Sequence, residues 1–176
     1  MIKKYLILIL IGFFFTQISL AAGTTKKTSN ADDTINEPKG PIKTSNYDLA
    51  VKFIKKGNKY NKKNKKEKAK KNYKKAFKLL LKSNKEFPVQ ADTFNYLGYS
   101  SRKLGNLENA EIYYLLGLEI APKHFGINEY LGELYVDTNK IKLAKERLKV
   151  LEKCNCDEYN QLKEIIEGKK NLNISF

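Results

Sequence analysis

From Ala91 onward, apolar, small and polar positions follow a pattern that returns after 34 residues, and a further copy begins upstream at Ala50. With Ala91 as position 1, Phe94 stands at 4, Leu97 and Gly98 at 7 and 8, Gly105 at 15, Ala110 at 20, Tyr114 at 24, Gly117 at 27 and Pro122 at 32. One period later Leu131 and Gly132 fall at 7 and 8, Tyr135 at 11, Ala144 at 20, Leu148 at 24 and Leu151 at 27. Upstream, with Ala50 as position 1, Phe53, Gly57, Tyr60, Ala69, Tyr73 and Ala76 occupy 4, 8, 11, 20, 24 and 27, but Lys56 replaces leucine at 7. Apolar residues three and four apart predict helices. The small residues let two antiparallel helices approach closely while the large ones fill the space beside them. Gly105 predicts the end of the first helix of its pair, because glycine takes positive φ without a steric cost. Pro122 ends the second, since it lacks an N–H and clashes with the preceding turn. No stretch after Ala50 alternates in the way a strand does.

In the first unit the helical spacing runs on through Phe77, Leu80, Leu81, Asn84 and Phe87 to Pro88, which predicts a second helix about two turns longer than in the other units. A last amphipathic segment, about 157–167, carries Leu162, Ile165 and Ile166 on one stripe.

This arrangement resembles the tetratricopeptide repeat, a helix-turn-helix unit of 34 residues. The resemblance implies an all-α fold: a short right-handed superhelix of three helix-turn-helix repeats, about 50–83, 91–124 and 125–158, plus a C-terminal capping helix at about 157–167. A cap is what a stack of repeats needs, because its last pair has no neighbour to cover it.

The segment before the repeats reads as an address. Lys3 and Lys4 precede an apolar run from Tyr5 to Phe15, and Ser19-Leu20-Ala21 offers small residues ahead of Ala22. Residues 1–21 are therefore expected to be a signal peptide and the protein periplasmic, the alternative being an inner-membrane anchor left by an uncleaved N-terminal segment. Residues 22–46 hold Thr, Ser, Asn, Asp, Lys, Pro and Gly with almost no large apolar side chain, the composition of a disordered linker. The repeat domain is expected at 47–176.

The formal charge of +15 lies almost wholly in the first repeat. Residues 47–90 hold sixteen lysines against Asp48, Glu67 and Glu86, a net of +13, whereas residues 91–176 have a net of −1. The Lys62–Lys75 region could draw an anionic surface such as membrane headgroups or a cell-wall polymer, or be no more than a solvated helix face, since lysine is a good helix former. Nucleic acid is disfavoured, because arginine, with its bidentate fork for phosphate and bases, occurs only at Arg102 and Arg147.

No catalytic set can be assembled from one histidine, no Gly-rich phosphate loop, no nucleophile elbow and no zinc pattern. Neither cofactor nor metal is expected. Glu129 and Glu133 sit one helical turn apart, where a solvated face is the default, and His124 falls in a turn after Pro122 and reads as a solvated loop residue. Cys154 and Cys156 are open between an intramolecular disulfide, two free thiols and a thiol-redox role.

The family resemblance directs attention to binding. It implies that the first helix of each unit lines a concave groove through positions 2, 5, 9, 12 and 13. By register these are Asn58, Asn61 and Lys62, then Asp92, Asn95, Tyr99, Arg102 and Lys103, then Glu129, Glu133 and Asp137. The expectation is a non-enzymatic adaptor for a peptide or protein, with a groove running from basic to acidic. An envelope assembly factor acting through the lysine-rich repeat is the alternative. Family members that grip a chaperone-tail carboxylate use basic and asparagine side chains at five positions; here those positions hold Ile54, Asn58, Tyr96, Gly126 and Tyr130, and only Asn58 fits.

Overall fold

The computed structural model describes residues 45–170. The expected signal peptide and residues 22–44 of the expected linker lie outside the described residues. Seven helices follow one another: α1 (Asn46–Lys62), α2 (Lys66–Glu86), α3 (Ala91–Lys103), α4 (Leu107–Ile120), α5 (Phe125–Asp137), α6 (Ile141–Leu151) and α7 (Asp157–Ile166). Among the described residues there is no strand, and no helix is long and apolar enough to cross a membrane. α1, α3 and α5 each pair with the helix that follows; α1 also touches α3, α3 touches α5 and α5 touches α7, so the odd helices form one row of an α-solenoid.

Local chemistry sets the helix ends. Ser45 Oγ accepts from Asp48 N–H at 3.0 Å and donates to the Asp48 carboxylate at 2.6 Å, which starts α1 at Asn46. The turn inside each repeat closes in the same way three times. Position 15 is left-handed in all of them, at Asn64 (φ 54°), Gly105 (φ 86°) and Asn139 (φ 58°). The next N–H reaches back five residues, Lys65 to Tyr60 O, Asn106 to Ser101 O and Lys140 to Tyr135 O, at 2.7–2.9 Å. That is the helix-closing bond of a left-handed C-terminal cap, and asparagine tolerates it next best after glycine. Pro88 and Pro122 end α2 and α4 by disfavouring helical backbone in the residue before each.

The small positions work as close approaches. A Cβ on Gly57 would stand 2.5 Å from the Tyr73 ring, and one on Gly98 would stand 2.5 Å from the Tyr114 ring, so position 8 in each repeat receives the tyrosine at 24. In the third repeat Leu148 replaces that tyrosine, and the space over Gly132 is taken instead by Leu162 of α7, 2.5 Å from a Cβ built there. The cap thus completes a socket that its own repeat leaves unfilled.

Leu97, at position 7, packs back against Ala50, Ile54, Ala76 and Leu80 of the repeat before it, and Leu131 does the same against Ala110, Tyr114 and Leu118. Among the described residues no element precedes α1, and Lys56 at its position 7 is exposed. α2 spans 21 residues against 14 and 11 for α4 and α6. Its additional turns are not buried all round: Leu81 is 43 % and Phe87 63 % exposed. Cys154 and Cys156 are joined in a disulfide across the turn between α6 and α7, with Cα atoms 5.2 Å apart.

Candidate binding groove

The row of α1, α3 and α5 brings most of the register-selected residues together through their side chains. Asn58 Oδ1 accepts from Tyr73 OH at 2.7 Å and from Tyr99 OH at 2.9 Å, linking α1 to α2 and α3. The Tyr99 ring lies 6.3 Å from that of Tyr73 and 5.1 Å from that of Tyr130, centroid to centroid, so aromatic contact continues into α5. Such pairs favour tilted and edge arrangements like these. Burial raises the pKa of Tyr99 to about 12 although the Asn58 bond opposes it, and burial also raises those of Tyr73 and Tyr130. All three hydroxyls are neutral at any physiological pH.

Across the α3/α5 seam, Arg102 donates from Nη1 to Glu133 at 2.5 Å and from Nε to Asp137 at 2.9 Å. The guanidinium is 3 % exposed and the Asp137 side chain 2 %. Burial alone would lower the pKa of Arg102, but Glu133 and Asp137 with Tyr114 outweigh it and raise it further. Lys103 is buried beside this cluster with its ammonium 5.5 Å from the centroid of the Tyr99 ring, a cation–π contact. Burial and the neighbouring Arg102 lower its pKa to about 8. The gradient from basic to acidic expected along the groove is therefore neutralised at its centre, where the arginine of one repeat meets the acids of the next.

Glu129 is not on a solvated face. It is 4 % exposed because α7 packs against α5, and burial followed by the like charges of Glu133 and Glu158 raises its pKa to about 8. Asn95 is buried as well, its amide nitrogen 3.0 Å from where a Cβ on Gly126 would stand, so the glycine leaves room for it. Asn58, Asn61, Tyr99 and Glu133 are partly exposed; Lys62 at the end of α1 and Asp92 at the start of α3 are exposed.

His124 is no loop bystander either. Its Nδ1 accepts from Ile127 N–H at 3.2 Å and caps α5, while Nε2 lies 3.0 Å from Asp92 Oδ1 at the start of α3. With Nδ1 accepting, Nε2 carries the proton and donates to Asp92. Sequence reasoning also passed over Tyr130 and Tyr73 as groove residues. Their signal was present, since both sit at repeat positions beside Tyr99, but register alone does not say which rings meet. Among the described residues no three His, Cys, Asp or Glu side chains converge as metal ligands. What the face can supply is aromatic surface, fixed amide groups and charges at its rim.

Residues 91–124, the middle repeat, match the tetratricopeptide repeat family model. The described helices as a whole share the fold of such repeats, an all-α helical repeat solenoid. Solved tetratricopeptide-repeat domains are similar in fold. The Sgt2 domain from Aspergillus fumigatus is 21 % identical with a TM-score of 0.52, covering 74 % of this chain and 84 % of that one. The first such domain of human RPAP3 is 22 % identical with a TM-score of 0.52, covering 69 % and 92 %. The first domain of Spaghetti (RPAP3), solved with the HSP90 peptide SRMEEVD, is 21 % identical with a TM-score of 0.51, covering 70 % and 97 %. No curated protein matches the sequence.

Proposed function

We propose that this tetratricopeptide-repeat domain is a non-enzymatic adaptor that holds a peptide or protein segment along α1, α3 and α5, and that it works in the periplasm. The observation that carries the reading is the cross-repeat polar row: Asn58 under two tyrosine hydroxyls, and Arg102 under two carboxylates, hold the inner-face side chains in place before any ligand arrives. Preorganised side chains lose little freedom on binding, which leaves more of the contact energy as affinity. The Spaghetti (RPAP3) domain holds a peptide rich in acids. Here Ile54, Tyr96, Gly126 and Tyr130 occupy positions where such recognition uses basic or amide groups, so the partner is of another chemistry, suited to aromatic rings and neutral amides. The periplasmic assignment rests on Lys3, Lys4, the Tyr5–Phe15 run and the small residues before Ala22.

Photo-crosslinkers at Lys62 and Asp92, both exposed at the rim, test the groove against crosslinkers at Ile112 and Leu116, exposed on α4. One partner captured from the rim sites and not from α4 supports the reading; capture only from α4 refutes it. N-terminal sequencing of protein recovered from the periplasm tests the address, with Ala22 the expected first residue.

A further inference from the structure

The elongation of α2 is not explained by repeat packing. Ala69, Tyr73, Ala76 and Leu80 satisfy the repeat, and in the last turns, where Ser83 alone is buried, the helix adds mainly a surface. Lys71, Lys74, Lys78, Lys82 and Lys85 follow one another at spacings of three and four, so they form one stripe, and all are exposed. None of the sixteen lysines in residues 47–90 forms an ion pair with another of the described residues. Two of the three acids of this region are engaged elsewhere, Asp48 by the Ser45 hydroxyl and Glu86 by the Asn46 amide at 2.7 Å. The stripe ends in apolar groups. Leu81 lies on it at 43 % exposure, and the turn that follows presents Phe87 at 63 % and Val89 at 64 %. Val89 has φ 62°, a conformation that β-branched residues avoid. The backbone thus holds two large apolar side chains outward at the tip of a basic rod about 30 Å long.

We infer that α2 and the Phe87–Val89 turn dock the first repeat on an anionic phospholipid surface, with the lysine stripe over the headgroups and Leu81, Phe87 and Val89 inserted at the interface. A bilayer uses both halves of this feature, because interfacial binding adds apolar burial to the attraction of lysines for anionic lipid. A soluble polyanion would use the charges and leave the apolar tip in water. Nucleic acid would find a single open ring here, Phe87 at the tip, since the rings of Phe53 and Tyr60 lie under the ammonium groups of Lys75 and Lys68. A second copy would bring two such charged faces together. The inference concerns a surface distinct from the groove and stands independently of the adaptor reading.

Co-sedimentation of the full chain with phosphatidylglycerol vesicles and with phosphatidylcholine vesicles tests it, the N-terminal apolar run being common to every variant. The wild type is expected to bind phosphatidylglycerol far more tightly, in a manner weakened by salt. Lys71→Gln, Lys74→Gln, Lys78→Gln and Lys85→Gln together should weaken that binding by about a hundredfold or more, and Phe87→Ser with Val89→Ser by about tenfold. All six side chains are exposed, so circular dichroism should show the helical fold unchanged. Equal binding to the two lipids overturns the inference. So does wild-type affinity in either variant, or full displacement from vesicles by single-stranded DNA that binds the Phe87→Ser, Val89→Ser protein as tightly as the wild type.

Discussion

Replacing Glu129 with glutamine should change how stability depends on pH, because this carboxyl is ionised in the unfolded chain and neutral in the folded one. Its folded pKa stands at about 8 against an ordinary 4.5, owing first to burial and then to Glu133 and Glu158, with Lys170 and Arg102 opposing. Between those two values the folded protein binds a proton that the unfolded chain has released, so stability falls as pH rises through that window. At about 1.36 kcal/mol per pH unit, the loss between 4.5 and 7 amounts to roughly 3 kcal/mol. Glutamine cannot ionise. Urea denaturation of both proteins, followed by helical circular dichroism at a series of pH values across this range, isolates the term. Any constant offset from burying the amide is independent of pH, so the readout is the slope of the difference. The variant should gain on the wild type by about 1 kcal/mol per pH unit as the medium is made less acidic, and level off above pH 8. A difference that stays flat over the window would show that Glu129 is solvated and ionised in the folded protein, and that α7 does not cover it.

Arg102→Met leaves Glu133 and Asp137 without their cation at the α3/α5 seam and should cost about 3–5 kcal/mol in urea denaturation, with much of it regained when both acids are also made leucine; no loss from the single change would mean the pair is screened by water. Gly98→Ala drives a Cβ to 2.5 Å from the fully buried Tyr114 ring and should cost about 2–3 kcal/mol, whereas Gly132→Ala meets the terminal methyls of Leu162, which can turn away, and should cost only about 1 kcal/mol. Equal losses would refute the difference between the tyrosine socket and the cap. His124→Ala removes the cap of α5 and should lower stability by about 1 kcal/mol, most of it restored by His124→Asn, which keeps an acceptor; a thermal melt distinguishes the three proteins.

Much of the fold was legible because close packing leaves few alternatives. Two helices touching at Gly57 and Tyr73, or at Gly98 and Tyr114, need a small and a large residue at fixed separation, and that need prints the repeat into the sequence. The left-handed turns were legible at Gly105 but not at Asn64 or Asn139, since asparagine serves many backbone states and signals this one only when aligned with the glycine. Which side of an apolar helix is covered was not legible at all. Leu81 and Phe87 keep helical spacing with Leu80, yet α1 reaches only one flank of those turns, where Asn46 meets Glu86. The groove residues were placed by register, but their burial and pairing were not. A signal existed: Arg102 is followed by acids 31 and 35 residues later, either side of one period, which in a stacked repeat places opposite charges across one seam.

That offset separates the two charge populations of this domain. A charge on an inner helix can be answered by the next repeat, as Arg102 is by Glu133 and Asp137, and it then serves to fix the position of one repeat on another. Removing one member is costly because its partners stay buried, even where the pair adds little net stability. The lysines of α2 have no such answer. Their helix faces outward, and the nearby carboxylates Asp48 of α1 and Glu86 at its own end are held by Ser45 and Asn46. Surface charge left unbalanced within a domain repels itself and is relieved by an anionic partner. The groove is therefore electrostatically closed before a ligand arrives, while the first repeat is open, so raising salt should weaken contacts made by α2 and leave those made by α3 and α5 nearly unchanged.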